Sequence, residues 1–138
     1  MSKPILAEKS IKLIDQVIAC LKIPSNQQFY DQDVVAEDHG CGTVGCIAGW
    51  MYFIKKGKKK HDKMMESGRN VAMIDFAEDQ MRYADGSKMG KEYFEPSLFG
   101  MVSHWEDEFA DAYYEANSDA ERAAAAIGKL EYFKKTGK

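Results

Sequence analysis

Proline and cysteine are scarce in this sequence, which has 3 of each among its 138 residues. So few prolines leave room for helices and argue against a proline-rich, low-complexity chain. The cysteines are too few for a small secreted scaffold held together by disulfides. Hydrophobic residues make up 45% of the chain and charged residues 30%, as in ordinary globular proteins. This length and composition predict a single domain over residues 1–138.

Long hydrophobic runs are also missing. The N-terminal residues reach charged side chains without a long apolar stretch, so we do not expect a signal peptide. The longest uncharged apolar run, residues 44–54, would span only about half of a bilayer core as a helix. We therefore expect a cytoplasmic protein of a bacterial cell, encoded either by the bacterium or by a phage. Its cysteines should be reduced, and we expect no membrane partner.

A strong net charge is absent as well. The formal net charge is −3 at pH 7, which gives the protein no overall field that would draw it to nucleic acid or to an acidic membrane. Any electrostatic recognition must therefore come from local clusters of charged side chains.

Apolar residues recur at helical spacing through most of the chain, which predicts an all-α fold. The segment from Thr43 to Lys56 is apolar on every side and predicts a central buried helix rich in glycine and alanine. Ser118 and Glu121 have capping-box spacing, so the final helix should begin there and pack antiparallel to the one before it. We expect a compact bundle of about five helices. The first should begin at residue 4 or residue 10 and end at residue 21, and the others should span residues 43–56, 70–83, 103–116 and 118–137.

A segment rich in glycine and cysteine, residues 38–50, is the most distinctive part of the sequence. In one interpretation Cys41 is a catalytic thiol that precedes a helix N-terminus, which lowers a thiol pKa, and His39 is its base. In the favoured interpretation Cys41 and Cys46 are packing residues that match the small glycines around them, since free cysteines are commonly buried. A metal site could also be imagined from His39, Cys41 and Cys46, with His61 as a further ligand. These residues do not have the ligand spacing that is usual for zinc, so we expect no metal and no cofactor.

Lysines are concentrated between Lys55 and Lys63. Lys58, Lys59 and Lys60 are the candidates for contacts with phosphate groups of a nucleic acid. No aromatic residues are interleaved with them, and short charge runs are usually solvated loops. The sequence therefore predicts a loop here and leaves nucleic acid as the less favoured partner.

Acidic residues are concentrated on the fourth predicted helix, at Glu106, Asp107, Glu108 and Asp111. They lie opposite an apolar stripe that includes Trp105. Such residues are most often a solvated helix face, but they can also dock a basic partner or imitate a nucleic acid. These four carboxylates are therefore candidate binding residues.

Residues 41–50 follow the pattern C-G-T-x-x-C-x-A-G-W, which resembles a signature of small helical proteins from bacteria and their phages. Further matches in order and spacing are Leu98-Phe99, Trp105, Tyr113 and the segment from Ala123 to Phe133. The resemblance covers most of the chain from Phe29 onward. It implies no agreed activity and transfers no functional residue. The sequence departs from the pattern in its Lys-rich insert after Phe53 and at Glu106, where proline is common, so partners need not be shared.

These patterns favour a small, soluble, non-enzymatic interaction protein whose partner is another protein. Its specific form would be an inhibitor or regulator that a phage or mobile element encodes and that binds a host protein. The alternatives are a thiol-dependent enzyme that uses Cys41 with His39, and a nucleic-acid-binding protein that uses Lys55 to Lys63. The sequence leaves the oligomeric state open.

Overall fold

The computed structural model describes residues 4–32, 36–38, 43–67, 71–89, 97–99 and 102–138. This part of the chain is mostly helical, which confirms the predicted all-α class. The helices are α1 (Glu8–Leu21), α2 (Pro24–Gln27), α3 (Ile47–Lys56), α4 (Lys58–Glu66), α5 (Val71–Gln80), α6 (Asp107–Tyr114) and α7 (Asp119–Thr136). Two short strands, β1 (Ala36–Asp38) and β2 (Thr43–Gly45), and two 3₁₀ turns, Ser97–Phe99 and Val102–His104, complete the described elements.

Helix α1 is amphipathic, as its sequence predicts, and its buried face packs against α3 and α7. Its start is fixed by Ser10, which is 1% exposed. The Ser10 hydroxyl donates a hydrogen bond to the Gln80 carbonyl at 2.7 Å and accepts one from the Arg82 amide at 3.0 Å. Because both of these groups lie at the end of α5, the serine ties the two helices together.

The prediction that the apolar central helix begins at Thr43 is wrong, since the helix begins at Ile47. Residues Thr43–Gly45 are instead a strand, antiparallel to β1. The Gly45 amide donates to the Phe29 carbonyl at 2.9 Å, and its carbonyl accepts from the Asp31 amide at 3.2 Å. These bonds hold the segment extended until Ile47, after which six consecutive residues, Ile47–Tyr52, are buried.

The lysine run is helical, so the prediction of a solvated loop at Lys55 to Lys63 is wrong. Gly57, at φ 89° and ψ 166°, ends α3 and begins α4. That conformation is essentially restricted to glycine, which explains the break. Lysine has a good helix propensity, and His61, Met64 and Met65 have the spacing of one helix face, so α4 can form and dock.

The predicted helix at residues 103–116 is split into a 3₁₀ turn and α6. Trp105 lies at the break and is 4% exposed, because its side chain is part of the core. The predicted N-cap is confirmed, since the Ser118 hydroxyl accepts from the Glu121 amide at 3.2 Å. The Glu121 carboxylate accepts from the Asn117 amide at 2.8 Å, one residue before the position that a full capping box uses. Phe109 near the start of α6 meets Tyr132 late in α7, with ring centroids 5.4 Å apart, so the two helices are antiparallel.

The described core has one main cluster and one small satellite. The main cluster joins α1, α3, α5, α6 and α7. The satellite consists of Tyr52 and Met73 with Met64, Met65 and Phe76 packed around them. Helix α4 thus belongs to the satellite rather than to the main core, and only a few side chains hold it in place.

Candidate functional site

The candidate thiol pair, Cys41 and His39, lies outside the described residues. The other cysteine of that segment, Cys46, is 2% exposed. Burial raises the pKa of the Cys46 thiol above its ordinary value. A buried thiol of raised pKa is a packing residue rather than a nucleophile at neutral pH.

Gln32, which sequence analysis did not single out, organises the surroundings of Cys46. It is 4% exposed, and its Oε1 accepts hydrogen bonds from the Ile47 amide at 3.2 Å and the Tyr30 hydroxyl at 3.1 Å. Its Nε2 donates to the Leu98 carbonyl at 3.2 Å, and its backbone amide donates to the Tyr113 hydroxyl at 3.1 Å. The side chain therefore caps the first turn of α3 from a residue far away in sequence. Gln32 stands between two aspartates in the sequence, so no local pattern marks it as a buried residue.

Glu106 is separated in function from the other acidic candidates. Its Oε1 lies 2.6 Å from Nζ of Lys129, whose side chain is 0% exposed. Lys129 also donates to the Lys138 carbonyl at 2.8 Å. Burial is the largest single influence and would raise the pKa of Glu106. The hydrogen bond and charge of Lys129, with a backbone hydrogen bond and the charge of Lys138, together outweigh it and leave the pKa lowered. Glu106 is therefore engaged in neutralising a buried ammonium.

The remaining acidic candidates, Asp107, Glu108 and Asp111, are exposed on α6. None of them forms an ion pair with a cation of the described residues. Tyr114 lies beside them and is 56% exposed, the highest value among the large hydrophobic side chains that the structure describes. We name this surface, together with the exposed Glu115, the acidic face.

The basic candidates are divided between two places. Lys58, Lys59 and Lys60 are exposed on α4, where Lys58 forms an ion pair with Asp62 at 2.7 Å. Lys55 belongs instead to a groove between α1 and α3 of about 310 Å³. The groove is lined by Lys9, Lys12, Gln16, Ile54 and Lys55. The groove is not evident from the sequence, because residues distant in the chain form it.

His61 lies beneath the lysines of α4. It is 0% exposed, and neither ring nitrogen has a hydrogen-bond partner in the part of the chain that the structure describes. Its ring centroid lies 6.2 Å from that of Tyr52 and 5.8 Å from that of Phe53. Burial lowers the pKa of His61. The neutral imidazole therefore acts as an apolar side chain that docks α4 on α3.

Within the described ranges, no group of three or more His, Cys, Asp or Glu side chains is placed to hold a metal ion. No described helix is both long and apolar enough to cross a membrane. No family model matches the chain, and no significant match was found among curated proteins or solved structures. The resemblance carried by residues 41–50 therefore stays a prediction.

Proposed function

We propose that this protein is a non-enzymatic interaction protein that binds a basic surface of another protein through the acidic face of α6. The observation that carries the proposal is Tyr114, a large aromatic side chain that is 56% exposed among carboxylates. Tyrosine is enriched at the energetic centres of protein interfaces, because its ring buries much area with little loss of conformational freedom.

Helix stability does not account for all of the carboxylates. Asp107 and Glu108 are in the first turn of α6, where negative charge is favourable to the helix dipole. Asp111 and Glu115 are near the other end, where negative charge is unfavourable and where the last turn has no basic residue. A basic partner would neutralise these two residues, and this complementarity supports the proposal.

The arrangement also suggests the kind of partner. A rim of carboxylates around an aromatic anchor complements a cationic surface, and its charges would speed association with one. In the specific form of the proposal, the chain is a phage- or mobile-element-encoded inhibitor or regulator. It would occupy a basic host surface that otherwise contacts an anionic ligand.

Affinity capture with the immobilised chain tests the proposal. The bait is exposed to a lysate of the organism that encodes it, and bound proteins are quantified by mass spectrometry. We expect the wild-type chain to retain a stoichiometric basic protein and the double variant Asp111→Lys/Tyr114→Ala to lose it.

The matched control is Asp75→Lys/Tyr83→Ala, because Asp75 and Tyr83 are also exposed but belong to α5 and the turn that follows it. The control should retain the partner. Equal retention by the variant of the acidic face, or no stoichiometric partner of the wild-type chain, would contradict the proposal.

A further inference from the structure

We propose that the groove between α1 and α3 is a binding site for phosphate groups, held by Lys9, Lys12 and Lys55. The ligand is either a free oligophosphate or the backbone of a single-stranded nucleic acid, since both present closely spaced phosphates. This site is independent of the acidic face, because it uses different helices and the opposite charge.

Lysines from two helices converge on the groove. Lys9 and Lys12 are three residues apart on α1, so they share one face of that helix. Lys55 comes from the last turn of α3, which packs against α1. The fold therefore brings three lysine side chains to one groove of about 310 Å³, a volume at the lower end of the usual range for ligand sites.

The charges of these lysines are not neutralised by ion pairs within the described parts of the chain. None of the three lysines lies within ion-pair distance of a described carboxylate. Glu8 precedes Lys12 by four residues but is not paired with it, and Asp15 is held by Lys134 at 2.9 Å. Three like charges around one concavity repel one another until an anion enters.

The helix dipoles act differently on Lys9 and Lys55. Lys55 is in the last turn of α3, where a cation is favourable for the helix itself. Lys9 is in the first turn of α1, where a cation is unfavourable and an anion is favoured. Helix stability thus explains Lys55 but not Lys9, whereas a bound anion explains both.

The chemistry of the lining favours phosphate over a carboxylate-rich peptide. Lysine ammonium groups are strongly hydrated point charges and are common phosphate ligands. A linear oligophosphate carries several charges close together and can meet three separate ammonium groups at once. Gln16 adds amide donors, and Ile54 contributes an apolar wall that a single-stranded nucleic acid can cover with a base.

Direct titration of the full chain tests the site with three probes at about 50 mM salt. The probes are sodium tripolyphosphate, measured by calorimetry, and a fluorescently labelled single-stranded oligonucleotide and a polyglutamate peptide, both measured by anisotropy. The test variant is Lys9→Glu/Lys12→Glu. Its matched control is Lys22→Glu/Lys135→Glu, because Lys22 and Lys135 are also exposed but do not line the groove. Circular dichroism and thermal melting establish that all forms are folded.

We expect one site for tripolyphosphate or the oligonucleotide, weakened roughly tenfold or more in the test variant and unchanged in the control. If the oligonucleotide binds, its affinity should fall as the salt concentration rises. The slope of log affinity against log salt concentration should become shallower by about 0.7 for each phosphate contact that the test variant loses. Binding of tripolyphosphate alone identifies a free oligophosphate, and competition between the two probes identifies a site that accepts either.

Several results would overturn the site. One is no binding of either phosphate probe, and another is equal weakening by the control variant. A third is binding of polyglutamate as tight as that of an oligonucleotide of equal charge, because the groove would then recognise negative charge rather than phosphate. If Lys9→Glu/Lys12→Glu loses its fold, Lys9→Gln/Lys12→Gln replaces it, and unchanged phosphate binding by that variant counts against the groove.

Discussion

The α6–α7 pair and the α3–α4 pair each cover a fully buried ionisable side chain, and they satisfy it in opposite ways. Lys129 on α7 has Glu106 as a charged partner at 2.6 Å, whereas His61 on α4 has none among the described residues. Glu106 is therefore withdrawn from the acidic face to stabilise the fold. By contrast, burial of His61 on α4 favours its neutral form, so the two regions should differ in stability and in response to pH.

The largest expected effect is from breaking the buried ion pair. Glu106→Gln removes the carboxylate from the Lys129 ammonium, whose side chain is 0% exposed, while the hydrogen bond to the Lys138 carbonyl remains. We expect the free energy of unfolding to fall by about 3 kcal/mol, because removing one partner of a buried ion pair is costly. Chemical denaturation at neutral pH measures this loss.

The double variant Glu106→Gln/Lys129→Met is the control for that measurement. It removes both charges and replaces the lysine with an apolar chain of similar length, so most of the stability should return. A double variant as unstable as Glu106→Gln would show that the ion pair is not the source of the loss.

The next largest effect concerns the joint between α3 and α4. Gly57→Ala forces a side chain into φ 89° and ψ 166°, although no atom lies within 4 Å of the added Cβ. We expect a loss of about 2 kcal/mol from backbone strain alone. Amide hydrogen exchange should show the loss of protection concentrated in α4. An equal loss of protection in α7 would mean that α4 does not unfold separately from the rest of the domain.

His61 should make the stability depend on pH. Its pKa is lowered in the folded state by burial, so folding disfavours protonation. The stability is therefore fully present above the unfolded pKa of about 6.5 and is lost as the pH falls toward the lower pKa of the folded state. Asp62, which opposes the shift, and Lys58, which reinforces it, are the charged neighbours.

The test replaces His61 with an apolar ring of similar size. His61→Phe should raise the free energy of unfolding by about 1 kcal/mol at neutral pH, because it removes an unpartnered buried polar group. It should also flatten the pH dependence of stability below the unfolded pKa of about 6.5. His104→Gln, which replaces an exposed histidine, is measured in parallel as the control. A profile unchanged by His61→Phe would remove His61 as its source.

The smallest stability effect is expected at the acidic face. Asp111 is exposed and without an ion-pair partner in the described ranges, so Asp111→Lys should change the free energy of unfolding by less than about 0.5 kcal/mol. A slight gain is expected, since a cation suits that end of α6. Thermal melting checks this value. A large loss would mean that Asp111 has a structural role and is not reserved for a partner.

Helical periodicity was enough to predict the all-α class, most of α1 and the capped start of α7. It failed where distant residues decide the structure. Thr43 is in a strand because Gly45 bonds to Phe29 and Asp31, and the lysine run is helical because His61 finds an aromatic surface on α3. The sequence likewise groups Glu106 with the other acidic residues of α6. Its role differs because the fold brings the distant Lys129 into contact with it.

Site-specific photo-crosslinking tests the central claim, that the acidic face of α6 is the docking surface, most directly. A photo-reactive phenylalanine is placed at Tyr114 or, as the control, at Tyr83, which is 39% exposed. Both forms are irradiated in the organism that encodes the chain. The account predicts one discrete crosslinked basic protein from position 114 and not from position 83. Crosslinks from position 83 alone, the same products from both positions, or none from position 114 would contradict it.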